Sequence, residues 1–206
     1  MKKLESNFKN MVLVLSAITL FAAAALSSVY TFTKEPIALS KLAKQQNAIR
    51  EVLPPYDHLE AKPFTENEGT VYKAYDKNNV FLGSAVQSIS NGFSGNIDVI
   101  VGFDANGNIL NYLVLDQKET PGLGSKMVDW FKTDKGNQSI IGKNPATYNL
   151  LVKKNKGDVD AITAATISSK AFLFAVRSAY TAFSKHVVAN SAEQSPVNKT
   201  DSIKVN

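Results

Sequence analysis

The feature that most constrains this chain is an uncharged apolar run near its N-terminus, from Met11 to Phe32. About 22 residues at 1.5 Å rise per residue form a helix of roughly 33 Å, which matches the hydrocarbon core of a bilayer. A retained anchor is favoured over a cleaved signal peptide, whose apolar core usually runs about 7 to 15 residues. The signal peptide stays open as the alternative, because Ala22 to Ala25 and Ser27-Ser28 offer small residues for cleavage.

The sequence beyond the apolar run predicts a stalk, one domain and a polar tail. Pro36 suits the first turn of a new helix, and Pro54-Pro55 would end that helix. The lysines on both sides of the run give only weak support for a cytoplasmic N-terminus. The expected segments are a cytoplasmic N-terminus, a transmembrane anchor, a juxtamembrane helix or stalk, a globular domain and a disordered tail, at 1–10, 11–33, 34–55, 56–189 and 190–206 respectively.

The absence of cysteine restricts the chemistry of the chain. Disulfides, thiolate zinc sites and iron–sulfur clusters are excluded, so any redox chemistry must come from a bound organic cofactor. The net charge of +5 would permit binding to nucleic acid or anionic lipid. Nucleic acid is not expected, because the lysines are scattered and form no basic stripe interleaved with aromatics. The two histidines, His58 and His186, lie far apart in the sequence, and no metal site is predicted.

Two predicted hairpins indicate an antiparallel sheet and an α+β fold. The first joins 71–75 to 80–86 through the turn Asp76-Lys-Asn-Asn79, and the second joins 97–103 to 109–115 through Asn106-Gly107. A last helix is predicted over about 168–188. Its apolar side chains recur at helical spacing and should pack on the sheet: Ala171, Phe172, Ala175, Val176, Ala179 and Phe183.

Two glycine-containing loops flank the second hairpin and are expected to open at the same end of the sheet. They are Gly92-Phe-Ser-Gly95 and Glu119-Thr-Pro-Gly-Leu-Gly124. Glycine permits close approach of the backbone to a ligand, although either loop taken alone is more simply a turn. A short helix is predicted over 126–131, with Trp130 and Phe131 turned inward.

A run of small and hydroxyl residues, from Asp160 to Lys170, stands directly before the last helix. Backbone N–H groups at a helix N-terminus lack intrahelical partners and attract anions, so the run is a candidate phosphate site. The simpler interpretation is that Thr166 or Ser168 is an N-cap, and the run alone favours that interpretation.

Together these stretches resemble the G-subunit family of the Rnf ion-translocating oxidoreductase (electron transport) complex, membrane-anchored proteins with an FMN-binding domain. The resemblance covers roughly residues 1–185 and rests on the anchor, both glycine loops, Val101-Gly-Phe-Asp104 and the Asp160 to Ala171 segment. It implies an α+β FMN-binding domain, with an antiparallel sheet packed by helices, behind an N-terminal transmembrane helix.

The resemblance also implies that FMN is covalently attached to Thr166 by a phosphoester, installed by a flavin transferase that uses FAD. Ala164 stands where the commonest form of the family motif has glycine, and alanine would be strained there if the position needs a positive φ. The expected cofactor-binding residues belong to the threonine motif and the two loops: Asp160, Thr163, Ala164, Ala165, Ser168, Ser169, Glu119, Thr120, Pro121, Gly122, Leu123, Gly124, Gly92 and Ser94.

The expected function is that of a redox subunit without an independent active site, relaying electrons through FMN between ferredoxin and NAD in an ion-translocating complex. The implied partners are other Rnf subunits, the flavin transferase and membrane lipid. The implied location is the bacterial inner membrane, with one span and a periplasmic domain. Two alternatives remain: the C subunit of the Na+-translocating NADH:quinone reductase, and a membrane-tethered binding or assembly module whose threonine cluster only caps a helix.

Overall fold

The computed structural model describes residues 7–64 and 69–188, so the predicted tail at 190–206 and most of the predicted cytoplasmic segment lie outside the described residues. The main elements in chain order are α1 (Phe8–Val52), β1 (His58–Phe64), β2 (Gly69–Tyr75), β3 (Phe81–Asn91), β4 (Asn96–Asp104), β5 (Ile109–Asp116), α2 (Met127–Trp130) and α3 (Thr166–Phe183). Two short 3-10 helices, Gly124–Lys126 and Lys153–Asn155, and a π-helical turn, Ser184–Val188, complete the regular structure of the described part.

Helix α1 is one continuous helix of 45 residues. The predicted break and new start at Pro36 are therefore wrong, since Pro36 lies inside the helix. Proline removes one hydrogen bond to the preceding turn at about 3 kcal/mol, and long helical segments on both sides can absorb that loss. The apolar part has a mean hydropathy of 2.3 and no buried residues, so by length and composition it can cross a membrane.

The chain divides into two compact units between Gln45 and Gln46. The second unit therefore begins before the predicted domain start at residue 56, because the last turns of α1 bury Ile49 and Val52 in its core. A Cβ atom on Gly102 would lie only 1.9 Å from the Val52 carbonyl oxygen, so glycine is required where this helix end meets the sheet. Residues 46–53 thus pack as part of the domain.

The second unit is built on a five-stranded sheet in which each strand pairs with its neighbour in sequence, and every pair is antiparallel. The four predicted strands and the α+β class are confirmed. Strand β1 was missed, because charged residues alternate with its few apolar ones and Pro63 lies within it. Charges and proline are typical of an edge strand, and β1 has only β2 as a neighbour in the described sheet.

The two faces of the sheet carry separate apolar clusters. One face packs under α3, and the predicted apolar stripe of that helix is buried there, with Phe172 stacked on Phe131 at 4.6 Å between ring centroids. The other face packs against the end of α1. Phe131 turns inward as predicted, whereas Trp130 is only partly buried and donates its indole N–H to the Asp160 carbonyl oxygen at 2.9 Å.

Candidate functional site

The two glycine loops lie at one end of the sheet, as predicted. Gly92–Gly95 connects β3 to β4, and its ends are closed by a 2.8 Å hydrogen bond from the Gly92 N–H to the Gly95 carbonyl oxygen. The segment Glu119–Gly124 follows β5, whose last residue, Asp116, pairs with Asp98 near the start of β4. The antiparallel register therefore brings both loops to the same edge.

The carboxylate of Glu119 joins both loops to helix α3. Its Oε1 accepts hydrogen bonds from the backbone N–H groups of Phe93 at 2.7 Å and Ser94 at 3.0 Å. Its Oε2 accepts a hydrogen bond from the Ser168 hydroxyl at 2.5 Å. Only 4% of Glu119 is exposed, and these three donors compensate for removing the carboxylate from water. Sequence reasoning placed Glu119 at the site but missed this cross-linking role.

Glycine is required at two positions around this carboxylate. A Cβ atom on Gly92 would lie 2.3 Å from Glu119 Oε1, and one on Gly124 would lie 2.6 Å from the Ser168 hydroxyl oxygen. Both glycines therefore let the loops close onto Glu119. Their role here is packing around a buried acid, which is a different reason from the ligand approach that the sequence suggested.

The hydroxyl groups at the start of α3 have separate roles. Ser169 accepts a hydrogen bond from the Ile162 N–H and donates one to the Ala165 carbonyl oxygen, both at 2.9 Å. Ser168 donates to Glu119. The N-cap residue is Ala165, which has no capping side chain, so the prediction that Thr166 or Ser168 caps the helix is wrong.

Thr166 is the first residue of α3, an 18-residue helix. Its side chain is half-buried and lines the cleft described below. In the part of the chain that the structure describes, its hydroxyl has no hydrogen-bond partner. Thr166 thus combines an uncommitted hydroxyl with a helix N-terminus whose first N–H groups also lack intrahelical partners.

Ala164 adopts a φ of +60°, in the left-handed region. The condition under which alanine is strained at this position is therefore met, at a cost of roughly 1–2 kcal/mol. The residue is exposed and lies on the wall of the cleft. The Ser169 hydroxyl spans the turn that presents Thr166, because it bonds both the Ile162 N–H and the Ala165 carbonyl oxygen.

Asp160 supports the segment before α3 and does not line the cleft. Its Oδ1 lies 2.8 Å from the Lys153 ammonium nitrogen, and its Oδ2 accepts the Asn137 N–H at 2.8 Å. These hydrogen bonds, Lys153 first, hold the pKa of Asp160 below its ordinary value. The contacts fasten the 160–165 segment to the loops around residues 137 and 153.

A cleft of about 310 Å³ opens between the Glu119–Gly124 loop, the Gly92–Gly95 loop and the start of α3. That volume lies at the lower end of the range for small-molecule sites. The lining residues are Phe93, Glu119, Thr120, Leu123, Gly124, Ala164, Ala165, Thr166, Ile167 and Ser168.

The structure brings together most of the predicted site residues. Those that line the cleft are Glu119, Thr120, Leu123, Gly124, Ala164, Ala165, Thr166 and Ser168. The others lie outside its lining: Gly92, Ser94, Pro121, Gly122, Asp160, Thr163 and Ser169. Phe93 and Ile167 also line the cleft, but neither was among the predicted site residues. Both are largely exposed, Phe93 by 67% and Ile167 by 56%. The sequence signal that could have identified Phe93 is its place between the two glycines of the Gly92–Gly95 loop.

The cleft combines apolar walls with one polar attachment point. Phe93, Leu123 and Ile167 offer surfaces that suit a planar ring system. Thr166 and the N-terminus of α3 suit a phosphate. Among residues 7–64 and 69–188, no group of three or more His, Asp or Glu side chains is arranged to hold a metal ion. The site is thus equipped to hold and orient a phosphorylated, ring-bearing ligand.

Comparison with known proteins gives a consistent assignment. Residues 92–181, which contain both loops and most of α3, match the FMN-binding domain family. The chain is 33% identical over 161 residues to the G subunit of the ion-translocating oxidoreductase complex of Salmonella typhi, covering 71% of this chain and 77% of the relative. It is 31% identical to the G subunit of Escherichia coli strain K12, covering 79% and 85%. The G subunit of Aliivibrio fischeri strain ES114 is 29% identical, covering 88% and 92%.

Proposed function

The chain belongs to the G-subunit family of ion-translocating oxidoreductase complexes, and we propose that it carries electrons within such a complex through FMN bound covalently to Thr166. The observation that carries this proposal is the Thr166 hydroxyl, which lines the cleft without a hydrogen-bond partner among the described residues. The other two hydroxyls at the start of α3 already have protein partners.

The proposed attachment uses FAD, supplied by a flavin transferase. The Thr166 Oγ forms a bond to the phosphorus atom of the FMN half, while the bond from that phosphorus to the bridging pyrophosphate oxygen breaks. AMP leaves with the bonding electron pair, and the hydroxyl proton is released. This reaction consumes no oxidant or reductant, and the product is a phosphodiester between FMN and the threonine.

The residues around Thr166 suit the negative charge of such a phosphodiester. The first N–H groups of α3 have no carbonyl partner one turn earlier, and the dipole of a helix favours an anion at its N-terminus by about 0.3–1 kcal/mol. The Glu119 carboxylate would repel the phosphate, but its oxygens already accept three hydrogen bonds. Glu119 therefore positions the loops and is not expected to contact the phosphate.

The remaining lining residues would hold and shield the flavin. The side chains of Phe93, Leu123 and Ile167 would exclude water from an apolar ring, and the Glu119–Gly124 backbone offers polar groups beside it. FMN supplies one- and two-electron chemistry when bound, and the protein contributes placement and electrostatics. A covalent link would keep the flavin in place in every redox state.

We further propose that α1 anchors the chain as a single span in the bacterial inner membrane, with the domain on the periplasmic side and the other subunits of the complex as partners. The apolar composition and length of α1 support the span. The relatives described above are G subunits of ion-translocating oxidoreductase complexes, which supports this role over that of the C subunit of the Na+-translocating NADH:quinone reductase.

The decisive experiment is to express the full chain with a flavin transferase, then measure in-gel flavin fluorescence and intact mass. We expect one FMN adduct, its loss in Thr166→Ala, and partial or full retention in Thr166→Ser. Thr147→Ala is the matched control, because Thr147 is exposed in another loop and does not line the cleft. An adduct that persists in Thr166→Ala, or an unmodified wild-type mass, would overturn the proposal.

A further inference from the structure

We propose that a second cleft, on the other side of Ile167, is the docking site for an acidic segment of the protein that exchanges electrons with the flavin. This inference rests on the proposed function, since it takes the first cleft as the flavin site. The second cleft has a volume of about 340 Å³ and is bordered by α3, by the end of β3 and by the loop around residues 151–155. Its lining includes Lys170, Phe174 and Arg177 from α3.

The described residues that line this second cleft give it positive charge without a carboxylate. Lys170 and Arg177 are seven residues apart on α3, so they lie on the same face of the helix. None of the described residues that line the cleft is an aspartate or a glutamate. Asp160 does not line it, and its carboxylate is already paired with Lys153. Two cations without a local acid create a field that attracts negative charge.

Arg177 also has an unused buried donor. Its Nε atom is buried and has no hydrogen-bond partner among the described residues. A buried donor without an acceptor is destabilising, and a guanidinium matches a carboxylate with two parallel hydrogen bonds. Arg177 itself lines the cleft, and its guanidinium carries further N–H donors on the two terminal nitrogens, with which a bound carboxylate would pair.

The apolar part of the second cleft is typical of a protein interface. The Phe174 ring is 49% exposed, and the Arg177 guanidinium carbon lies 5.7 Å from its centroid. Aromatic residues, phenylalanine included, and arginine are enriched at protein interfaces. Asn91 and Asn155 at the border add amide groups that can bond a bound backbone. The cleft thus offers two cations, an aromatic surface and amides within one small area.

The position of the second cleft links it to electron transfer. Ile167 lines both clefts, and Lys170 is one turn further along α3 than Thr166. A partner bound at Lys170, Phe174 and Arg177 would therefore lie beside the proposed flavin site, where electrons must enter or leave. Complementary charge at such a surface mainly accelerates association and selects the partner. An acidic protein segment fits these requirements, because the cleft pairs cationic donors with an exposed aromatic ring.

The test uses the full chain within the complex, with Lys170→Glu, Arg177→Gln and the control Lys77→Glu. Lys77 is exposed in the turn between β2 and β3, at the opposite end of β3 from the Gly92–Gly95 loop. In membranes supplied with NADH or reduced ferredoxin, we expect the two cleft variants to lower the oxidoreductase rate on the order of tenfold at low salt. Lys77→Glu should remain within about twofold of the wild type.

In-gel flavin fluorescence separates this inference from the proposed function. If the wild type carries no covalent flavin, the proposed function fails whatever the cleft does. If the cleft variants keep their flavin and still work at the wild-type rate, only the docking inference fails. If a variant loses both fluorescence and folding, Arg177→Lys takes its place. This variant keeps the positive charge but cannot form two parallel hydrogen bonds to a carboxylate, so it should show a smaller loss of rate.

A photo-crosslinking amino acid in place of Phe174 identifies the occupant directly. In the assembled complex, we expect cross-links to a peptide of another protein of the complex that contains several Asp or Glu residues. Cross-links only to lipid, only to a second copy of this chain, or to a peptide without acidic residues would overturn the proposal.

Discussion

Replacing Ala164 by glycine should stabilise the domain, although glycine is usually a destabilising residue. Ala164 has a φ of +60°, where an L-residue is penalised by roughly 1–2 kcal/mol and glycine is not. Glycine also makes the unfolded chain more flexible, which cancels about 0.4–1 kcal/mol of the stability gained by relieving the strain. Because Ala164 is exposed, its methyl group contributes little packing energy. The difference predicts a net gain of about 0.5–1 kcal/mol in the free energy of unfolding.

Urea unfolding of the full chain in detergent, followed by near-UV circular dichroism, measures this change as a shift of the midpoint at constant slope. For a domain of this size, 1 kcal/mol corresponds to a melting temperature change of roughly 2–4 °C. Ala146→Gly is the matched control, because Ala146 is also exposed in a loop but has no positive φ. It should lose about 0.4–1 kcal/mol. If Ala164→Gly is destabilised as much as this control, the strain argument is incorrect.

Three further changes test the supports of the site. Glu119→Ala should lower the free energy of unfolding by about 1.5–3 kcal/mol, measured by urea unfolding, because it removes a buried carboxylate acceptor from three donors. Gly102→Ala should cost about 3 kcal/mol or prevent folding, measured by thermal unfolding, because its methyl would collide with the Val52 carbonyl oxygen. Asp160→Asn should lower stability at neutral pH, and the difference from the wild type should shrink on acidification, in unfolding curves recorded at several pH values.

The sign of the pH effect follows from the pKa of Asp160, which is lower in the folded protein than its ordinary value of 3.8. A lowered pKa means that ionised Asp160 stabilises the fold above pH 3.8, and that this contribution is lost as the pH falls through the folded pKa. A difference for Asp160→Asn that grows on acidification would contradict the assigned hydrogen bonds.

Milder substitutions serve as controls for the other two changes. Glu119→Gln keeps one acceptor and should cost less than Glu119→Ala. Gly95→Ala would meet only the flexible Lys118 side chain, at 3.3 Å, and should therefore cost far less than Gly102→Ala. If Glu119→Gln costs as much stability as Glu119→Ala, the buried acceptor does not account for the loss. If Gly95→Ala costs as much as Gly102→Ala, the close approach of Val52 is not the reason that glycine is needed at position 102.

The sequence predicted those parts of the fold that depend on neighbours along the chain. Alternating apolar residues and strong turn residues located four strands, and apolar spacing located the buried face of α3. Strand β1 and the end of α1 were not predicted correctly, because both depend on contacts between distant residues. Nothing near Val52 in the sequence shows that Gly102 leaves room for it on the sheet. A proline inside a long helix, such as Pro36, likewise carries no local sign of whether it breaks the helix.

The candidate site was likewise predicted where it depends on neighbours along the chain and not where it depends on distant contacts. The distant contacts determine which hydroxyl is available for modification. The sequence placed several hydroxyl groups at the start of one helix and could not rank them without the family resemblance. Their ranking depends on distant partners: Ser168 is committed to Glu119, 49 residues away, and Ser169 to the turn at Ile162. Thr166 is left with an unpaired hydroxyl among the described residues, on the wall of the cleft.

The proposal for Thr166 therefore has a physical basis that is independent of the resemblance, and removing the partner of Ser168 tests that basis. Glu119→Ala should free the Ser168 hydroxyl and loosen the cleft. We expect flavin attachment at Thr166 to become less complete without moving to Ser168, because only Thr166 would still be presented at the start of α3 by the turn at Ala164. Peptide mapping of the adduct would show which residue carries it, and a flavin found on Ser168 would mean that an unpaired hydroxyl alone determines the site.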